Sequence, residues 1–189
     1  MAGHKSRKRK PSQGTKSSGA LRRILKANWP LFRIYLLFGV TLLAIFTIIM
    51  VKPVYEHVVV PLNAFLAESS AAVIRLLGDN TIICTETTIS AAGFGINIAE
   101  GCNGIYALAI VIAGIVAFPA RWKPKSIGLI LAIILIMVLN YIRILTLWYA
   151  GLAGSFLFDT MHLYVWEFII IALGAAFWYF WYEKFVKKR

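Results

Sequence analysis

Acidic residues are scarce in this chain: eight Asp and Glu stand among 189 residues, against 20 Lys and Arg. Charge of any kind is scarce, at 15%, while 60% of the residues are hydrophobic. An average soluble domain is about half apolar and about a quarter charged. That shortage excludes a disordered chain and argues against an ordinary soluble domain. A net charge of +12 would suit a nucleic-acid binder if it covered a folded polar face. Here the basic residues are confined to the ends and one short loop, so no nucleic acid is expected as a partner. Metal ligands are thin as well, with two Cys and three His in all, and neither a metal nor another cofactor is expected. Internal repeats are absent, and so is low complexity beyond the N-terminal tail.

What is present is a series of long apolar runs. About 20 such residues cross a hydrocarbon core about 30 Å thick. Spans are expected at 31–51, 103–119, 126–148 and 163–182, the last ending in the aromatic run Trp178 to Tyr182 that favours an interface. The resulting fold class is an all-α integral membrane protein of about four helices. Residues 1–30 form a basic tail, disordered over about 1–20 and able to touch anionic lipid. The membrane domain is 31–189.

Of the 20 basic residues, 17 lie in three regions: the stretch up to Arg33, the loop Arg121 to Lys125, and the end after Glu183. Four spans put all three on one side, which the positive-inside rule makes cytoplasmic. The basic region before the first span is too long for a signal peptide, and Lys52-Pro53 is a poor cleavage site. An uncleaved anchor is expected.

The outer segment, 52–101, is the one sizeable polar region. Leu62, Phe65, Leu66, Ser69, Val73, Leu76 and Leu77 recur at helical spacing, with Asn63, Glu68, Ser70 and Arg75 facing elsewhere. A helix in the outer interface is expected, stopped at Gly78-Asp79-Asn80. The Thr- and Ile-rich stretch Thr81 to Ser90, then Phe94 to Ile98 after Gly93, suggests a short β-hairpin.

Polar groups inside a bilayer cost a few kcal/mol even on lenient scales, so each calls for a reason. Cys102 opens the second span at its outer end, Arg143 lies about 7–8 Å inside the outer end of the third, and His162 stands at the mouth of the fourth. Asn140 shares the face of Arg143, and Asp159 precedes His162 by three residues. A thiol, a guanidinium and an imidazole at one level fit acyl transfer through a thioester. The cation favours thiolate, the imidazole moves protons, and the guanidinium fork suits a developing oxyanion. Taken singly, Cys102 is apolar filler, Arg143 snorkels and His162 caps an interface. Glu100 is a surface acid or binds an acceptor amine, and Glu167 is a possible partner of Arg143. Cys84 has no basic neighbour in the pattern and reads as filler or a free thiol; a disulfide to Cys102 would remove the nucleophile.

Glu100-Gly101-Cys102-Asn103-Gly104, then Phe118-Pro119-Ala120, then Asn140-Tyr141-Ile142-Arg143 and finally His162 resemble the ordered motifs of the exosortase/archaeosortase family, most closely the exosortase H subgroup. The resemblance covers about residues 98–182. It implies a membrane cysteine protease/transpeptidase with Cys102 as nucleophile, Arg143 as stabiliser of thiolate or oxyanion, and His162 as general acid/base. Asn140, Gly104 and Asp159 would support them. It further implies a bacterial inner membrane setting, a periplasmic site, and exported proteins as substrates. Those carry a C-terminal sorting tail, here Ile-Pro-Thr-Leu followed by Trp-Gly, a membrane helix and a basic cluster. The alternative is a non-enzymatic assembly factor or small transporter subunit, with Arg143, Glu167 and Asn140 joining helices.

Overall fold

A computed structural model describes residues 14–91, 93–99 and 101–187, with residues 14–27 described by backbone alone. Its order is α1 (Gly14–Met50), α2 (Lys52–Leu76), β1 (Ile83–Thr85), β2 (Thr88–Ala91), β3 (Phe94–Asn97), α3 (Ile105–Ala117), α4 (Trp122–Ala153) and α5 (Ser155–Lys187). Residues 14–20, expected as disordered tail, are helical; residues 1–13 lie outside the described part. The protein is an all-α membrane protein with a small sheet. Four helical stretches are long and apolar enough to cross a bilayer: Asn28–Met50, α2, α4 and α5.

That set differs from the expected one at two places. The helix expected over 103–119 shortens to Ile105–Ala117, because Asn103 and Gly104 belong to the preceding loop. Thirteen residues rise about 20 Å, less than a hydrocarbon core. The stretch 52–76, in contrast, is one helix of spanning length. Pro53 sits in its first turn, where a missing N–H costs nothing. A π-helical turn follows at Tyr55–Val59.

Packing shows where α2 lies. Its Leu66, Ala67, Ala71 and Ile74 join Ile144, Leu147 and Trp148 of α4, Trp166 of α5, and Ile89, Ile96 and Ile98 of the sheet region. The opposite end has its own cluster of Val111, Ile115, Ala132, Ile136 and Trp181, with no α2 member. The contacts of α2 with α4 thus fall at its Ile144–Trp148 end. Its buried face also corrects the sequence reading. Asn63 and Ser70, expected to face away, are buried, while Phe65, Leu76 and Leu77 are exposed. Gly78, at φ 110°, ends the helix as the pattern indicates, donating to the Arg75 carbonyl.

The expected hairpin is a three-stranded antiparallel meander, β1-β2-β3, in register Ile83↔Ser90 and Ile89↔Ile96. The extra strand arises because Thr81–Ser90 folds back at Glu86, which takes φ 52°. Non-glycine residues seldom adopt that conformation, so no turn residue announced it. Phe94 of β3 lies against Trp148 and Phe158, with ring centroids 5.7 Å away in both cases.

Gly151 makes this seat possible: a Cβ there would collide with the Phe94 ring. Gly151→Ala is therefore expected to evict Phe94 and destabilise the sheet end by about 1–3 kcal/mol. Thermal unfolding of the detergent-solubilised protein, with Gly39→Ala in the open face of α1 as a control, measures it.

Candidate active site

The loop between β3 and α3 carries Cys102. Two glycines bracket it in left-handed conformations, Gly101 at φ 85° and Gly104 at φ 76°, and the Cys102 N–H donates to the Ala99 carbonyl at 3.0 Å. Gly104 also permits a close approach: a Cβ there would lie 3.2 Å from the Asn140 side chain on α4.

Both neighbours of Cys102 are tied down. Before it, the Gly101 carbonyl accepts from Arg143 Nη1 at 3.3 Å. Arg143 is only 4% exposed on α4. After it, Asn103 donates Nδ2–H to Asn63 Oδ1 of α2 at 3.0 Å, with both residues buried. The same carboxamide accepts from the Ile105 N–H at 3.1 Å, capping the start of α3.

The Cys102 thiol meets an imidazole. Its Sγ lies 3.1 Å from His162 Nε2, in a π-helical turn at Met161–Val165 of α5. Phe158, one turn earlier, stacks on the imidazole at 5.6 Å and 17°. Phe158 in turn touches Phe94, so the sheet supports the His162 ring from behind. Neither Asn63 nor Phe158 was singled out from the sequence; Asn63 in an outwardly apolar helix carries no local signal for a partner 40 residues away.

The other expected residues fall as follows. Asn140 is buried one turn below Arg143, its carboxamide without a protein partner among the described residues. Asp159 is helical and exposed, three residues before His162, without a hydrogen bond to it. Glu167 is exposed and does not pair with Arg143, whose guanidinium points to Gly101 instead. Glu100 lies outside the described residues. Both cysteines are free thiols. Cys84 was expected to lack a basic neighbour, yet Arg75 is close, bonding the Ile82 carbonyl at 3.1 Å.

Burial pushes the Cys102 thiol pKa up, and the Arg143 charge draws it partly back. Burial outweighs the Arg143 charge, so the thiol stays above its ordinary pKa. A protonated thiol needs a base to react, and His162 Nε2 is within reach of its proton when the ring carries its own hydrogen on Nδ1. Burial and Glu68 push the Cys84 thiol up too, with Arg75 acting against them, and it has no imidazole contact.

A bundle of membrane-length helices with a thiol, an imidazole and a guanidinium gathered at one end defines the class, an integral membrane protein with a cysteine–histidine centre. The profile of the transmembrane exosortase family matches residues 25–179, and the chain belongs to that family. No curated protein and no solved structure matches the chain.

Two outcomes are expected here. Arg143→Gln removes the charge that lowers the Cys102 pKa, so the pH profile of alkylation by iodoacetamide should move to higher pH. Each unit of movement lowers the rate at a fixed pH about tenfold. Asn63→Leu leaves the Asn103 amide buried without its acceptor, at about 1–3 kcal/mol. It should lower thermal stability and broaden the Cys102 alkylation kinetics, whereas Asn63→Asp, which keeps an acceptor, should restore both.

Proposed function

We propose that the chain is a membrane-embedded cysteine protease/transpeptidase that removes the C-terminal sorting tail of exported proteins through a thioester. The observation that carries this reading is the 3.1 Å contact between Cys102 Sγ and His162 Nε2, on a loop whose preceding carbonyl is gripped by Arg143. Family membership supports a membrane peptidase or transpeptidase acting on exported proteins. The grouping of 17 of the 20 basic residues in the two ends of the sequence and the 121–125 loop supports cytoplasmic termini and a site at the periplasmic surface of the inner membrane.

In this mechanism His162 takes the Cys102 proton as sulfur attacks the scissile carbonyl. The carbonyl oxygen becomes an oxyanion, and the Arg143 donors not used on Gly101 face the developing charge. Collapse breaks the C–N bond, and His162 returns the proton to the leaving amine. The acyl group remains on sulfur. An acceptor amine, a hydroxyl or water then gives its proton to His162, attacks the thioester and frees the thiol. Asn140 and Gly104 support this geometry by fixing how α4 meets the loop. Asp159 contributes only its charge near His162, from an exposed position.

Cys102→Ala, present at normal level, should leave tailed substrates at full mass in intact-mass spectra, and normal processing in that variant would sink the reading. Cys102→Ser should be nearly as damaging, because an alkoxide is far harder to form beside the same base. His162→Ala should cost on the order of 100-fold or more in cleavage rate. An unchanged pH–rate profile in that variant would remove His162 from the chemistry.

A further inference from the structure

The first helix is attached to the rest of the protein by one face only, and that attachment is uneven. No residue of its apolar window Asn28–Met50 is buried. Among the described residues it packs on α3 and on the start of α2. Near the candidate active site the contact is closed by Phe46 against Tyr106, with ring centroids 5.3 Å apart. At the basic end a groove of about 430 Å³ lies between α1 and the α3–α4 corner.

The lining of that groove is divided by chemistry. Ile34, Leu37 and Val116 form an oily wall along the helices, while Arg33 and Lys125 supply two cations. A second cavity of about 410 Å³ shares Pro119 and Ala120 with it and adds Arg121. No acidic residue lines either cavity. The ion pairs among the described residues, Lys52 with Glu56 and Lys187 with Glu183, lie elsewhere. Lys125 is held in place by donating to the Val116 carbonyl at 2.6 Å, and Arg33 has no hydrogen-bond partner among the described residues.

We infer that this groove is a binding site for one anionic phospholipid. Its phosphate sits between Arg33 and Lys125, and an acyl chain lies along Ile34, Leu37 and Val116. Two cations without an acidic partner at the mouth of an oily slot match a headgroup and a chain at once, as basic pockets between membrane helices do. A neutral lipid would leave both cations uncompensated, and a free anion would leave the oily wall unfilled. The lipid completes the seat of α1 at the end where no aromatic contact does so. This site is independent of the peptidase reading and stands or falls separately from it.

The test uses the full chain purified in detergent, with 1-palmitoyl-2-oleoyl-phosphatidylglycerol added and bound copies counted by native mass spectrometry. One retained copy is expected, with the phosphatidylcholine of the same chains retained far less. Arg33→Gln should weaken retention about fivefold, roughly the effect of one basic residue near an anionic headgroup, and Arg33→Gln with Lys125→Gln more. Lys184→Gln with Lys187→Gln, basic residues outside the groove, should retain the lipid as the unaltered chain does. Because Lys125 also caps α3, the single Arg33→Gln variant decides the matter. Equal retention of phosphatidylcholine, or undiminished retention in Arg33→Gln, would overturn the site. So would displacement of the lipid by millimolar inorganic phosphate, which would assign the cations to a free anion.

Discussion

The guanidinium of Arg143 is buried among apolar helices, and hydrocarbon offers it no partner. It has to find its acceptor inside the protein. The one it finds is the carbonyl of Gly101, the residue before Cys102. That single bond decides much of the local architecture. It requires a loop rather than a helix at Gly101, since a helical carbonyl would already be engaged. It also requires α3 to start late, so the helix that carries the loop is short. The late start and the stop before Pro119 together leave a helix too short to span.

The outer segment then becomes part of the same construction. Helix α2 and the meander cover the Ile144–Trp148 end of α4 and support the surroundings of the thiol–imidazole pair. Asn63 holds the residue after Cys102. Phe94 backs Phe158, which stacks on His162. Side chains from α2, α4, α5 and the sheet thus fix two atoms at 3.1 Å. Among the described residues α1 adds no side chain to this set, and none of its apolar window Asn28–Met50 is buried.

Apolar runs and the distribution of Lys and Arg made the membrane class legible, and the polar residues Cys102, Arg143 and His162 were legible because a bilayer makes such residues conspicuous. Asn140 and Gly104 followed from spacing and motif. The face of α2 was not legible. In water the apolar residues of an amphipathic helix point inward, but beside a membrane Phe65 and Leu76 can face outward while Asn63 and Ser70 are buried. A period of 3.6 finds the stripe without saying which side the core is on. The Asn63–Asn103 pair and the Phe158 stack were hidden because they join segments distant in sequence. The third strand was hidden because its turn uses Glu86 at positive φ, where the usual signals are Gly or Asn.

Burial also changes how the thiol must work. Had the Arg143 charge prevailed, Cys102 would rest as a thiolate, ready to react with any electrophile and to be oxidised. With burial prevailing, the resting group is a thiol and charge separation is costly. In the proposed mechanism, proton transfer to His162 then becomes favourable only when the sulfur's negative charge passes directly to a carbonyl oxygen within reach of the Arg143 donors. On that proposal the cation serves the transition state more than the resting nucleophile, which is where differential binding accelerates a reaction. On the proposed mechanism, a half-buried thiol beside His162 stays quiet until a peptide bond arrives at the same depth, and the depth is set by the helices on either side.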